Sequence, residues 1–437
     1  MAQIATSHAI SPAAREINDA LPVPLAACLS PLGRRSVYPK GIPFQAGEAR
    51  GKTYNGTIGQ ITDGAGGALP LPSLAAAVSG LEEDLRDRAV LYSPIDGLPE
   101  LRRAWRGWQR REIDSAVPSS TPIVTLGLSH GLSLAADLFT GEGTAVAVAE
   151  PFWGNYRQTF STRTGARLVT APAYRDGVFD AAAPVKALSG LTAAEPAVVI
   201  VNFPSNPGGY SPTDDERLEL IAALTAEAET RPLAVLCDDA YAGLVYSDRI
   251  CRRSLFWDLI GIHPNLTPIK VDGATKELSF FGGRVGFLTF PFEPESPAAA
   301  ALESKVKCLL RATVGSPVAA SQAAVLSVLG SPRVAKEVEE VRALLAERAG
   351  VLAAALELCD RSVVRPLPFN SGCFALVELP EGVDAEEVRR HLLATADTGL
   401  ISVGERFLRL AFCSVAVAAL PELVRRMEAG VAAVAGR

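Results

Sequence analysis

Five short runs of apolar, mostly β-branched residues punctuate the middle of the chain: Ile123-Val124-Thr125-Leu126, Ala145-Val146-Ala147-Val148, Val198-Val199-Ile200-Val201, Leu233-Ala234-Val235-Leu236 and Ile269-Lys270-Val271. Apolar character without a polar alternation predicts strands buried on both faces. Amphipathic stretches between and before them predict helices over 73–88, 98–112, 129–139 and 213–229. Strands alternating with helices predict a mostly parallel sheet covered by helices on both sides, the α/β class.

Outside this middle the pattern changes. Residues 1–70 hold turn chemistry (Pro-Leu-Gly at 31–33, Lys-Gly-Ile-Pro at 40–43, Asp-Gly-Ala-Gly-Gly at 63–67) and little periodicity, which predicts an arm and loops. A long helical region over 295–358 leads into strands near 373–378 and 407–412 and helices near 384–394 and 417–434. The division is therefore an N-terminal arm and small-domain segment (1–70), a large domain (71–330) and a smaller α+β domain (331–437). A chain of 437 residues exceeds what one hydrophobic core usually serves.

Composition narrows the partners. A formal charge of -6 without a Lys/Arg run argues against nucleic acid. Seven scattered cysteines with no C-x-x-C pair argue against a disulfide framework and a zinc site, and fit a reducing cytoplasm. Leu25-Ala26-Ala27-Cys28 resembles a lipoprotein box, but Glu16, Asp19, Pro22 and Pro24 before it deny an apolar leader, so it reads as part of the arm. No stretch approaches the ~20 apolar residues of a membrane span.

Ligands of open parallel sheets gather at the carboxyl ends of the strands, so the residues after each run are the candidates. Gly127-Leu128-Ser129-His130-Gly131 opens a helix and offers N–H groups and a hydroxyl to a phosphate. Trp153, after Glu150-Pro151-Phe152, could stack on a flat ring or simply fill the core. Asn206 presents an amide from the rigid turn Asn206-Pro207-Gly208-Gly209. Asp238 is a carboxylate at a strand end, suited to a ring nitrogen or to a helix cap, and Tyr241 follows three residues later. Lys276, in an apolar and Gly-rich setting near Arg284, has reason to lose its proton and act as an amine nucleophile. Arg409, inside the apolar run Phe407–Phe412, needs an anion, structural or from a substrate.

In order and spacing these motifs resemble the class I/II aminotransferases, the aspartate aminotransferase family of fold type I pyridoxal-phosphate enzymes, from about Tyr92 to Arg409. The most specific element is the lysine followed eight positions later by the arginine of Gly282-Gly283-Arg284-Val285-Gly286. The resemblance implies a mostly parallel seven-stranded-type sheet, with a smaller α+β domain formed by the N-terminal segment and the C-terminal quarter. It makes Lys276 the Schiff-base lysine of pyridoxal 5'-phosphate and gives Leu128, Ser129 and Arg284 to the phosphate. Asp238 would then pair with the pyridine nitrogen, Tyr241 and Asn206 with the ring oxygen, and Trp153 with the ring face. Arg409 would grip the substrate α-carboxylate, with Gly56 and Gly59 bordering the substrate. Tyr92 and Arg311 would reach the neighbouring subunit's site in a homodimer, Arg311 for a dicarboxylic substrate's side chain.

One departure is Gly273, where relatives often carry a phosphate-binding serine; Thr275 is its candidate replacement. The implied activity is amino transfer between an L-amino acid, dicarboxylic or aromatic, and a 2-oxo acid. Motifs common to the fold leave a lyase or decarboxylase as the alternative, and a non-catalytic relative as a third reading.

Overall fold

The structure is a computed structural model, and it describes residues 10–111, 113, 116–192 and 194–436. Seven strands form the central sheet: β1 (Ile123–Thr125), β2 (Ala145–Glu150), β3 (Arg167–Pro172), β4 (Ala197–Val201), β5 (Leu233–Asp238), β6 (Leu266–Gly273) and β7 (Gly286–Thr289). Their order is β1-β7-β6-β5-β4-β2-β3. All five apolar runs are strands of this sheet, and only β7 runs antiparallel to its neighbours. Burial on both faces is explicit in β2, where Val146 and Val148 join one hydrophobic cluster and Ala145 and Ala147 the other.

β7 determines where the chemistry lies. The chain leaves β6 at Gly273 and re-enters the sheet at Gly286 directly opposite, so 274–285 form a loop over the strand ends. Lys276 and Arg284 both ride on that loop. The close pairing also explains Gly273: a Cβ there would lie 2.6 Å from the Val285 carbonyl oxygen and 2.8 Å from Gly286 Cα. Serine is sterically excluded at this position.

A second sheet of four short antiparallel strands, β8 (Arg365–Pro366), β9 (Ala375–Glu378), β10 (Ile401–Val403) and β11 (Phe407–Leu410), has the order β8-β9-β11-β10. Tyr54–Asn55 pair in parallel with Thr398–Gly399, tying the N-terminal segment to the C-terminal quarter. The expected 73–88 helix is two, Pro72–Ser79 and Glu83–Val90, separated at Gly80. The long helical region is three, Pro297–Thr313, Ala319–Leu329 and Val334–Glu357.

The expected loops are found over most of 49–71, but the segment before them needs correction. Short helices span Pro12–Asp19, Val23–Cys28, Pro31–Arg35 and Ile42–Glu48, each with proline in its first turn. Proline costs little there because those N–H groups lack helical partners anyway. Ser11 and Ser30 complete two of these starts by accepting from Ala14 N (3.2 Å) and Gly33 N (3.0 Å). At 31–33 and 40–43 what reads as turn chemistry is helix-start chemistry, whereas Asp63–Gly67 is a turn as expected, with Asp63 N donating to the Gly67 carbonyl at 3.1 Å.

Candidate functional site

The carboxyl ends of the parallel strands open into a cavity of about 420 Å³, within the range of small-molecule sites. Eleven of the residues singled out in the sequence line it: Gly59, Leu128, Ser129, Trp153, Asn206, Asp238, Tyr241, Thr275, Lys276, Arg284 and Arg409. Tyr92 and Arg311 do not. They share a separate surface hollow of about 850 Å³, where Tyr92 is 98% exposed.

One end of the cavity is built for an anion. The helix Leu128–Phe139 starts there without a side-chain cap, so its free N–H groups and dipole face the opening. Gly127 before it has φ 76°, and a Cβ at that position would come within 2.6 Å of an Arg284 guanidinium nitrogen. Arg284 is anchored from Nη1 to the Phe281 carbonyl at 3.2 Å. Beside them Thr275 Oγ1 is buried without a hydrogen-bond partner among the described residues. A buried hydroxyl without a partner is costly unless a ligand satisfies it.

In the middle stand Asp238 and Lys276. Asp238 is 3% exposed, and burial raises its pKa to about 6 against the opposing pull of a Tyr156 hydrogen bond and of Lys276. Tyr156 donates from its hydroxyl to Asp238 Oδ2 at 2.6 Å, and Ala240 N donates to Oδ1 at 3.2 Å. The Lys276 amine is moved below its ordinary pKa by burial and by Arg284, with Asp238 opposing. It lies 5.1 Å from the Tyr241 ring centroid. Asn202 supports this centre, donating to the Asp238 carbonyl at 2.7 Å and accepting from Asn206 N at 2.8 Å.

Arg409, 1% exposed, closes the far end. It donates from Nη1 to Asn206 Oδ1 at 3.0 Å and from Nη2 to the Thr57 carbonyl at 2.6 Å. Its Nε has no partner among the described residues, and its guanidinium lies 4.3 Å from the Phe374 ring centroid. Burial lowers its pKa to about 10. A buried guanidinium held by neutral groups, with a donor unused, is suited to a ligand carboxylate. Gly59 is required nearby, since a Cβ would meet the Phe374 ring at 2.5 Å.

Behind the site lies a charge network. Lys270 is ion-paired with Asp239 and lies 3.6 Å from Asp272. Gln109 (3.0 Å) and Trp105 (3.1 Å) donate to Asp272, and Ser254 to Asp239 at 2.6 Å. Burial raises Asp272 to about pKa 6. Burial also works against the Lys270 charge, but the two carboxylates hold its pKa above the ordinary value.

Sequence reasoning missed Tyr156, Asn202, Ile42, Pro43, Ile58 and Phe374. Tyr156 lies three residues beyond Trp153 and just before a π-helical turn over Arg157–Thr162, a local geometry frequent at functional sites but without a sequence signature.

Residues 57–427 match the sequence profile described as "Aminotransferase class I and II". A probable aspartate/prephenate aminotransferase of Rhizobium leguminosarum bv. phaseoli is 29% identical over 46% of this chain and 48% of its own, so the chain spans about half that relative's length. A 2-aminoadipate transaminase of Thermus thermophilus is 27% identical over 83% of this chain and 88% of its own. The crystal structure of an alpha-aminoadipate aminotransferase from Thermus thermophilus, complexed with N-(5'-phosphopyridoxyl)-L-leucine, superposes with a TM-score of 0.70 at 23% identity, covering 90% of this chain and 97% of that one. With the profile spanning most of its length, the chain belongs to the class I and II aminotransferase family.

Proposed function

We propose that the chain is a pyridoxal-phosphate-dependent aminotransferase that moves an amino group between an L-amino acid and a 2-oxo acid. The observation that carries this reading is the Lys276 amine, with its pKa lowered, facing Asp238 in a cavity with an anion socket at one end and a buried arginine at the other.

The residues fit the cofactor. Ser129, Thr275 and Arg284 would hold its phosphate, and the unpartnered Thr275 Oγ1 would gain the partner it lacks. Asp238 would face the ring nitrogen, Trp153 the ring plane, and Tyr241 and Asn206 the ring oxygen. Bound pyridoxal phosphate supplies a carbonyl that condenses with amines and a protonated ring that draws electrons from the substrate Cα–H bond.

Each protein group then has a defined task. Tyr156 and Ala240 N hold the Asp238 carboxylate in one orientation. Arg409 fixes the α-carboxylate and so sets which way the Cα–H bond points. Lys276 Nζ, weakened as a cation by burial, takes the proton from Cα and is the general base.

A second copy of the chain would complete the assembly. The exposed Tyr92, beside Arg311 in a hollow with Val90 and Leu91, supports a homodimer in which these residues approach the partner's cavity. Among the described residues no helix is long and apolar enough to cross a membrane. All seven cysteines are free, which supports a reducing, cytoplasmic setting.

The test is spectroscopic. Purified protein with pyridoxal phosphate is expected to show a visible absorption band that a suitable amino acid removes, with release of the 2-oxo acid, and that Lys276→Ala lacks. No band in the wild type, or an unchanged band in Lys276→Ala, overturns the reading. Elimination products in place of the 2-oxo acid would favour a lyase.

A further inference from the structure

The cavity's cations and carboxylate are all committed by the reaction just proposed. Among the described lining residues the cations are Lys276, Arg284 and Arg409, and the one carboxylate is Asp238. Arg284 is turned to the anion socket, Arg409 to the substrate carboxylate and Lys276 to the amine.

The side chains left without a task in that reaction are neutral and mostly apolar. Ile58 lies between Thr57, whose carbonyl accepts from Arg409, and Gly59, which is packed on the Phe374 ring. Ile42 and Pro43 begin the helix Ile42–Glu48. That helix is fixed to β10 by Gln45, which donates to Ser402 Oγ (3.0 Å) and accepts from Ser402 N (2.9 Å). β10 is the neighbour of β11, which carries Arg409. Ile42, Pro43 and Ile58 all line the cavity, with Gln60 beside Gly59, and are carried by segments tied to Arg409: Ile58 adjoins Thr57, and the Ile42–Glu48 helix is anchored on the strand next to β11.

We propose that Ile42, Pro43 and Ile58 form the substrate side-chain wall and select amino acids with apolar side chains, aliphatic or aromatic, over acidic and basic ones. The proposal rests on the aminotransferase reading. A second carboxylate or a distal ammonium at this wall would lose water without gaining an opposite charge from its own protomer. An apolar side chain would instead cover Ile42, Pro43 and Ile58 and remove both surfaces from water. Arg311, the one residue expected to serve a second carboxylate, lines the other hollow of its own chain and would meet this cavity only across the proposed homodimer, a contribution that Arg311→Ala reads separately from the wall.

The test separates binding from turnover. For the cofactor-loaded protein, unreactive 3-phenylpropanoate and 4-methylpentanoate are expected to bind at least about tenfold more tightly than glutarate. Loss of the visible band should be faster with leucine or phenylalanine than with glutamate, aspartate or lysine by roughly tenfold or more in kcat/KM. Ile58→Arg, at a position 46% exposed and therefore tolerant of a longer side chain, should narrow the leucine-to-glutamate ratio by about tenfold. Glutamate or aspartate matching or exceeding leucine overturns the proposal; loss of that excess in Arg311→Ala would trace it to the partner subunit. If no amino acid removed the band while 3-phenylpropanoate still bound more tightly than glutarate, the wall's preference would stand and the aminotransferase reading would fall.

Discussion

Tyr156→Phe isolates one hydrogen bond at the centre of the site. The hydroxyl donates to Asp238 Oδ2 at 2.6 Å, and both residues are buried. The ring itself packs edge-on to Trp153 (5.6 Å) and Phe160 (6.2 Å), contacts a phenylalanine retains. Burial lifts Asp238 from 3.8 to about 6. At ~1.4 kcal/mol per pKa unit, that shift of roughly two units costs the cofactor-free protein about 3 kcal/mol when the carboxyl is ionised. For an acid raised in the folded state the sign is fixed: the cost is absent below the unfolded pKa, grows as pH rises, and is complete above about 6. The tyrosine opposes this cost. A hydrogen bond to the ionised carboxylate contributes ~1.5–3 kcal/mol, and one to the neutral acid ~0.5–1.5 kcal/mol. Removing the hydroxyl should therefore destabilise the cofactor-free protein by about 1 kcal/mol more at pH 8 than at pH 5, and raise the Asp238 pKa by about one unit. Urea unfolding of wild type and variant at the two pH values measures the difference. Equal losses at both, or a larger loss at pH 5, would refute the assignment of Tyr156 as the group that stabilises the Asp238 anion.

Two further substitutions test the surroundings. Lys270→Met leaves Asp239 and Asp272 buried without their cation, and is expected to cost ~3–5 kcal/mol at pH 8 in the same unfolding assay. The loss should shrink toward pH 5 as Asp272, at about 6, protonates; a loss below ~1 kcal/mol at pH 8 would show that the network is not a charge pair of consequence. Thr275→Val removes a buried hydroxyl that has no partner in the cofactor-free protein, so stability without cofactor should not fall and should rise by up to ~1–3 kcal/mol, while the Kd for pyridoxal phosphate rises roughly tenfold. Fluorescence titration reads the Kd, and an unchanged value would remove Thr275 from the phosphate socket.

The pattern of agreement between sequence and structure follows from the range of the interactions. Strands buried on both faces carry their signature locally, and this is why the run Val198–Val201 is legible as β4 without knowledge of its neighbours. The polar residues after those runs converge because parallel strands end on one side of the sheet, so Ser129, Asn206 and Asp238 come together by topology. Tyr156 and Asp238 touch across 82 positions, and Tyr156 precedes a π-helical turn, so neither the contact nor its setting is written in the local pattern. Ile42 and Pro43 reach the cavity through a helix whose proline looks like a loop signal and whose anchor, Ser402, is 357 positions from Gln45. Gly273 joins the two kinds of information. Its mismatch with the family pattern is visible in the sequence, but only the facing β7 backbone shows that the position has no room for a hydroxyl-bearing side chain. Thr275, two residues on in the same loop, is buried, lines the cavity and has no partner for its hydroxyl among the described residues, which is why Thr275→Val is the substitution that tests where a replacement phosphate ligand lies.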